Sequence, residues 1–401
     1  MLFIASNPKH CSLGETTNEL LDQHKITISR QSFDERFNEA AVTFVKSVFE
    51  EQFSKQIDGS IHKDFLKPFT SVRIKDGTRF ELPACLKDYF KGFGGEKASA
   101  SGACIQYEFD LKTGKVLDLE ITDAKSSDAK NAKSKIEDIH EGELILRDLG
   151  YFSLDVVKGI IKKNAFIISR LNTSTCVYDK EGKELSFVRL YKKMVEEKVT
   201  HKEKQVYIGR EEKIPLRMIF DIVPEDVYQK RMLKIKAYNH RKGFTTTDQY
   251  KARSRFNTFI TNIDPKLVPS EQVYQLYKLR WQIELMFKIW KSLCGIDNLR
   301  PIKYHRFMCI LYAKLLLMQT NSQIISIIQI KLFKKENKLL SKFKCFRTLI
   351  RYFNKLRSIL NQKKKKWKFY LDEITNMFLK NHWLDKRKNR INFVDIFESY
   401  I

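Results

Sequence analysis

Between about residues 71 and 263 the spacing of apolar side chains switches repeatedly between the period of a strand and that of a helix. That order limits the fold more than any other feature of the chain. Val72 and Ile74, then Phe80 and Leu82, alternate around Asp76-Gly77-Thr78. Two strand-like runs follow at 102–111 and 115–122, and Lys112-Thr113-Gly114 between them is hairpin-turn chemistry. Residues 124–139 read as a helix, 143–148 as a buried strand ending on an acid, 154–163 as a helix and 166–170 as a strand. Strand character returns at 256–263. The expected architecture is α/β, a mixed sheet with helices on both faces.

The flanks differ. From residue 16 to about 53 the pattern is helical, with Phe33, Phe37, Ala40, Ala41, Phe44 and Val48 at helical spacing. Ser32 and Glu35 have capping-box spacing, a hydroxyl and a carboxylate each satisfying an orphan backbone donor. A helix-turn-helix and a plain helical bundle both fit this region. Residues 172–245 read as a β-rich insertion, with short strands at 205–208 and 216–223 divided by charged turns. One long amphipathic helix is expected from 270 to 294, started by Pro269. The domain expectation is a helical region over 1–65, an α/β core over 66–300 containing the insertion, and a basic helical region over 301–401.

Charge narrows the partners. The 401 residues carry 74 Lys and Arg against 48 Asp and Glu, a formal charge of +26. Residues 301–401 alone hold 23 Lys and Arg against six Asp and Glu. Such a surplus favours a polyanion. Its densest run is Lys363, Lys364, Lys365 and Lys366, followed by Trp367 and Lys368. A solvated face is one reading of that run, and phosphate contact is the other. The stretch 308–330 is apolar but broken by Lys314, Gln319, Asn321 and Gln323, which reads as a buried helix pair and not a membrane span. Seven scattered cysteines without a CxxC pair suggest neither zinc nor a disulfide framework. No charged-apolar-small leader opens the chain, so the expected location is the cytoplasm of a bacterium, at the nucleoid.

Three acids stand where chemistry can use them. Asp76 is expected at the end of the first core strand, Asp148 at the end of a later apolar strand, and Glu284 inside the long helix. Two strand ends and one packed helix can bring three carboxylates to one point. Hard oxygen ligands of this kind suit magnesium, and a pair of such ions can drive phosphoryl transfer. Around Glu284 the helix presents Tyr277, Arg280, Glu284 and Lys291, at offsets of 3, 7 and 14 from the tyrosine. At about 100° per residue they fall within an arc of roughly 60°. A phenol, a guanidinium, a carboxylate and an ammonium then share one face, and the two cations suit phosphates. Leu279, Ile283, Met286 and Trp290 form an apolar stripe for burial. A surface helix with an Arg280–Glu284 pair is the alternative.

The spacing Tyr-x2-Arg-x3-Glu-x6-Lys at Tyr277, Arg280, Glu284 and Lys291 resembles the signature of DDE transposases of the insertion sequence 4 family. The segment from Asp76 to Pro83 is similar to that family's first catalytic segment, and Arg147-Asp148-Leu-Gly-Tyr151-Phe152 to its second. Phe259-Ile-Thr-Asn262 resembles its last core strand. The likeness spans about residues 25–330. It implies an RNase H-like core interrupted by a β-strand insertion between Asp148 and Glu284. It further implies cut-and-paste transposition: two magnesium ions, with manganese as a substitute, held by Asp76, Asp148 and Glu284. Double-stranded DNA is cleaved at terminal inverted repeats and joined to target DNA, with Tyr277, Arg280, Lys291 and Lys363–Lys366 on the DNA and a homodimer in the complex. Relatives with a hairpin step stack a flipped base on an insertion aromatic, often Trp. Here no Trp lies between Asp148 and Trp281, leaving Tyr178 and Tyr207 for that place.

Three rival readings remain at the level of sequence. One is an RNase H-like nuclease that cuts without joining. Another is a DNA-binding remnant of a decayed element. The third, a membrane-surface protein, needs basic residues beside a large apolar helical face.

Overall fold

The computed structural model describes residues 12–56, 66–95, 99–336, 338–359 and 364–385. The chain divides into two compact units. The first gathers residues 1–67, 75–126 and 281–401, and the second gathers 68–74 and 127–280.

In the first unit three helices lead in: α1 (Leu13–His24), α2 (Arg30–Glu35) and α3 (Glu39–Ser54). The capping box belongs to α1, where Ser12 and Glu15 exchange the two hydrogen bonds. Ser32 does not form one. It lies inside α2, which Ser29 caps. The strand β1 (Val72–Glu81) begins in the second unit and runs on through the first, where the order is β3-β2-β1. β2 (Gly102–Asp110) and β3 (Val116–Asp123) are antiparallel, and the expected hairpin turn is present with Gly114 at φ 73°. That left-handed conformation has no steric cost for glycine. Asp110 completes the turn by accepting from the backbone nitrogens of Lys112 and Thr113.

The same unit ends in helices α10 (Trp281–Ser292), α11 (Tyr304–Glu336), α12 (Lys342–Arg351), α13 (Phe353–Ile359) and α14 (Lys364–Asn381). The expected helix pair at 308–330 is one continuous helix, α11. Two of its polar residues are buried with partners: Lys314 donates to the Gly295 carbonyl at 2.6 Å and Gln319 to Gln56 at 2.8 Å, whereas the buried Asn321 amide has no hydrogen-bond partner among the described residues. Among the described residues no helix is long and apolar enough to cross a membrane.

The second unit continues the order β1-β4-β5-β9-β8-β7-β6. β4 (Leu144–Arg147) and β5 (Phe166–Arg170) are parallel and joined by α5 (Leu154–Lys162), so the connection is a βαβ crossover. β4 is buried along its whole length, which is why Leu144, Ile145 and Leu146 form an apolar run before the buried Arg147. Val156, Val157 and Ile160 of α5 pack into the core with Ile145 and Ile167, each buried side chain contributing roughly 1.5–3 kcal/mol. A short helix, α4 (Asp128–Ser134), occupies less of 124–139 than expected.

Segment 172–245 carries β6 (Val177–Tyr178), β7 (His201–Ile208) and β8 (Ile214–Ile222), and also two helices, α6 (Phe187–Glu196) and α7 (Glu225–Lys242). Its strands extend the sheet, since β8 pairs with β9 (Phe256–Thr261) and β9 with β5, both antiparallel. α8 (Asp248–Ser254) precedes β9, and α9 (Ser270–Lys278) closes the unit. The fold is α/β, a mixed sheet with flanking helices, as the alternation of periods predicts.

Candidate active site

Asp148 follows directly on β4. Its backbone carbonyl accepts from Tyr151 in a single 3₁₀ turn, which fixes the chain where the strand stops. The half-buried carboxylate is held by a residue 129 positions away: the Tyr277 hydroxyl donates to Asp148 Oδ1 at 3.3 Å. Tyr277 is the penultimate residue of α9 and is buried, its ring 5.0 Å from that of Phe259 on β9. Burial first, and the Asp148 carboxylate second, push its hydroxyl up to about 12, against the pull of Arg280 and Arg170. The phenol therefore stays protonated and can keep donating. The Arg280 guanidinium lies over the Tyr277 ring, 5.8 Å from its centroid. Asp148, Tyr277 and Arg280 thus form one cluster within the second unit.

Asp76 does not end its strand. β1 continues through it to Glu81, and Asp76 Oδ1 accepts from the Gly77 nitrogen at 2.8 Å. Its neighbour Lys75, on the opposite face by strand alternation, is fully buried and paired with Asp118 at 2.7 Å and Glu108 at 3.7 Å. Arg79 reaches the carbonyls of Ala124 and Ser126, both at 3.1 Å. Lys75 thus holds β1 to β2 and β3, and Arg79 holds it to the segment that follows β3.

The helix expected over 270–294 is two helices. α9 ends at Lys278, Leu279 and Arg280 form a turn, and α10 starts at Trp281. The Leu279 and Arg280 nitrogens bond three residues back, to Leu276 and Tyr277, which tightens the last turn and breaks the register. The arc computed for an unbroken helix therefore does not apply. Tyr277 and Arg280 belong to the second unit, Glu284 and Lys291 to the first. Glu284 is half-buried in the first turn of α10. Phe287 and Trp290 pack α10 on Tyr107 of β2, with the Trp290 ring 4.8 Å away. Lys291 donates to the Arg79 carbonyl at 2.9 Å, so it ties the helix of Glu284 to the strand of Asp76.

Among the described residues no three His, Cys, Asp or Glu side chains form a preassembled metal cage. Magnesium does not require one. It keeps several waters and takes one or two carboxylates together with substrate phosphates. Asp76, Asp148 and Glu284 are each half-buried carboxylates, hard oxygen donors of the kind such an ion takes.

The remaining candidates are dispersed. Lys363 lies outside the described residues, as do the side chains of Lys364 and Lys365 at the start of α14, and Lys366 is exposed. Tyr178 and Tyr207 face each other across β6 and β7, and Lys213 sits over the Tyr178 ring at 4.1 Å. A role not foreseen in the sequence belongs to Asn262. Its side-chain oxygen accepts from Ile167 and its nitrogen donates to Ala165, both at 2.9 Å, clamping the start of β5. The Phe-Ile-Thr-Asn segment was the available signal.

Known proteins resemble this chain in sequence over most of its length. The family model described as "Transposase DDE domain" matches residues 67–319. The transposase for insertion sequence element IS231F of Bacillus thuringiensis subsp. israelensis is 32% identical over 341 residues, 80% of this chain and 71% of the relative. The transposase for IS1151 of Clostridium perfringens is 29% identical over 371 residues, 88% of this chain and 77% of that one. A piggyBac transposase synaptic complex with hairpin DNA, solved by cryo-electron microscopy, superimposes with a TM-score of 0.46 at 12% identity. That match covers 98% of this chain and 76% of the other.

Proposed function

Because this chain belongs to the DDE transposase family, we propose that Asp76, Asp148 and Glu284 are the ligands of its catalytic metal ions, two magnesium ions for which manganese can substitute. The enzyme is a transposase of an insertion sequence and acts on DNA by cleavage and strand transfer. Its finer substrates are the terminal inverted repeats of its own element and a target duplex, and it works as a homodimer in the bacterial cytoplasm, at the nucleoid. The observation that carries the residue roles is the hydrogen bond from Tyr277 of the signature to Asp148 of the second catalytic segment.

When bound, the ions activate the attacking oxygen and neutralise charge on the leaving one. The chain's own part is positioning, the main protein contribution to phosphoryl transfer. Tyr277 orients one carboxylate oxygen of Asp148 and leaves the other for coordination. Arg280, fixed beside that ring, is placed to grip a phosphate oxygen next to the cut. Lys291 holds the α10 helix against β1, and so keeps Glu284 with Asp76. Lys363, Lys364, Lys365 and Lys366 supply affinity for any duplex.

The test uses purified protein, magnesium and a duplex carrying the inverted repeats that flank its gene. The expected result is double-strand cleavage at the repeat ends and joining of those ends to a second plasmid, both abolished by chelation. Cleavage that is indifferent to the repeats and never followed by joining would identify a nuclease instead. Specific binding without cleavage would identify a remnant.

A further inference from the structure

The helix α7 has no part in the cluster at Asp148 or in the core contacts of α10. It is amphipathic in charge and not in hydrophobicity. Acidic residues occur only in its first turn, as Glu225 and Asp226, and none follows until Asp248. Over the same span come Lys230, Arg231, Lys234, Lys236, Arg241 and Lys242. Only Tyr228 is buried.

Anchoring is confined to one side. Arg231 donates to the carbonyls of Ser254 and Phe256 and to Asn257 Oδ1, at 2.8, 2.9 and 2.6 Å. Arg255 lies 3.8 Å over the Tyr228 ring and pairs with Glu225 at 2.9 Å. These contacts fix α7 rigidly beside the start of β9. On the other side, Lys230, Lys234 and Arg241 are all exposed and fall within about 40° of one another, with Ala237 between them. Their span of eleven residues is about 16 Å. Leu233, Tyr238 and Phe244 flank or follow this stripe, 67%, 50% and 60% exposed. Lys234 has no ion-pair partner among the described residues, and Lys230 has only an exposed pair with Asp226 at 3.0 Å. Exposed pairs of that kind are worth little and are readily exchanged for a phosphate.

We propose that the Lys230–Lys234–Arg241 face of α7 is a docking surface for the sugar–phosphate backbone of duplex DNA, independent of sequence. A rigid row of cations with no acid among them complements one strand, whose charges recur about every 3.4 Å along the axis. The small Ala237 lets the backbone approach, and the exposed apolar side chains meet sugars. The proposal rests on the reading of this chain as a DNA enzyme and extends it to a surface with no assigned role.

The test compares the full-length protein with a Lys230→Gln/Lys234→Gln/Arg241→Gln variant. A Lys46→Gln/Lys193→Gln/Lys251→Gln variant is the control, changing the same net charge at exposed lysines on three other helices. Two 30-base-pair duplexes are used, one carrying the inverted repeat and one of unrelated sequence. For three phosphate contacts the slope of log affinity against log salt should become shallower by about 2.7. The change should be equal on both duplexes and absent in the control, with thermal melting unchanged. A parental slope in the α7 variant overturns the proposal. An effect confined to the repeat duplex would overturn its sequence independence. Failure of the wild-type protein to cleave repeat DNA would count against the catalytic assignment alone, because the binding slopes are read without magnesium.

Discussion

The two compact units hold their catalytic candidates by different means. In the second, Asp148 sits where an apolar strand stops, and a side chain from another element, Tyr277, fixes its carboxylate directly. In the first, the helix that carries Glu284 is braced along its length: Lys291 bonds to the β1 carbonyl of Arg79, Trp290 packs on Tyr107, and Lys314 bonds to the Gly295 carbonyl just beyond the helix end. At the strand end the Tyr277 hydroxyl fixes a carboxylate oxygen itself. A carboxylate on a packed helix inherits the position of the helix. Changes at Tyr277 should therefore act on chemistry, and changes at the contacts that brace α10 should act on rigidity.

The largest effect should come from the acids themselves, which belong to both units. Asp76→Asn, Asp148→Asn and Glu284→Gln keep shape and lose a ligand charge. Each should reduce cleavage by at least about a thousandfold, as removal of one member of a catalytic set does. Binding to repeat DNA should persist in a mobility-shift assay. Near-normal cleavage by one of the three would remove that residue from the set and break the comparison on its side.

Next in size is Arg280→Ala. The guanidinium is placed over the Tyr277 ring, beside Asp148. Its loss should slow cleavage roughly a hundredfold, as for a lost charge-stabilising donor, with little change in duplex affinity. Normal cleavage with weakened binding would reassign Arg280 to general DNA affinity.

A stability measurement probes the first unit. Burial pulls the Lys314 ammonium down to about 8, below its unfolded value near 10.4. The unfolded chain then binds more protons between those values, so this group's destabilising contribution, complete below pH 8, is relieved as pH rises towards 10.4. The relief amounts to roughly 3 kcal/mol across the window. In urea unfolding, wild type should gain on Lys314→Met between pH 7.5 and 10. A constant difference would show that Lys314 titrates normally and does not brace the helix of Glu284 through a buried contact.

The smallest expected effect sharpens the contrast most. Tyr277→Phe removes one hydroxyl and keeps the ring on Phe259. Cleavage should fall about tenfold, the scale of one hydrogen bond to a charged group, with unchanged melting temperature and DNA affinity. Loss of stability instead would make Tyr277 a core residue and not a positioning one.

Local chemistry decided what could be read in the sequence. The β2–β3 hairpin, β4, α5 and β5 were legible because turn residues and apolar runs mark them without help from distant contacts. The break at Leu279–Arg280 was not, since neither residue is a helix breaker and the stripe Leu279, Ile283, Met286 and Trp290 continues across it. Its cause is tertiary: Tyr277 is drawn towards Asp148 and Phe259, and Trp290 towards Tyr107. α11 was misread in the opposite sense, because the partners of Lys314 and Gln319 lie far away in sequence. Asp76 inside β1 looked like an end because Gly77 is usually a turn signal. The site residues were legible as a spacing, and their distribution over two units was not.

The central claim is that Asp76, Asp148 and Glu284 serve the same metal ions. It can be tested by iron-mediated backbone cleavage, with ferrous iron and ascorbate replacing magnesium in the complex with repeat DNA. Hydroxyl radicals cut the chain beside the bound ion, and fragments are mapped by mass spectrometry. The expected result is three clusters of cuts, near residues 76, 148 and 284, all lost together in Asp148→Asn and all suppressed by excess magnesium. Cuts that persist near 76 and 284 when Asp148 is changed, or that never occur near 148, would contradict a shared site.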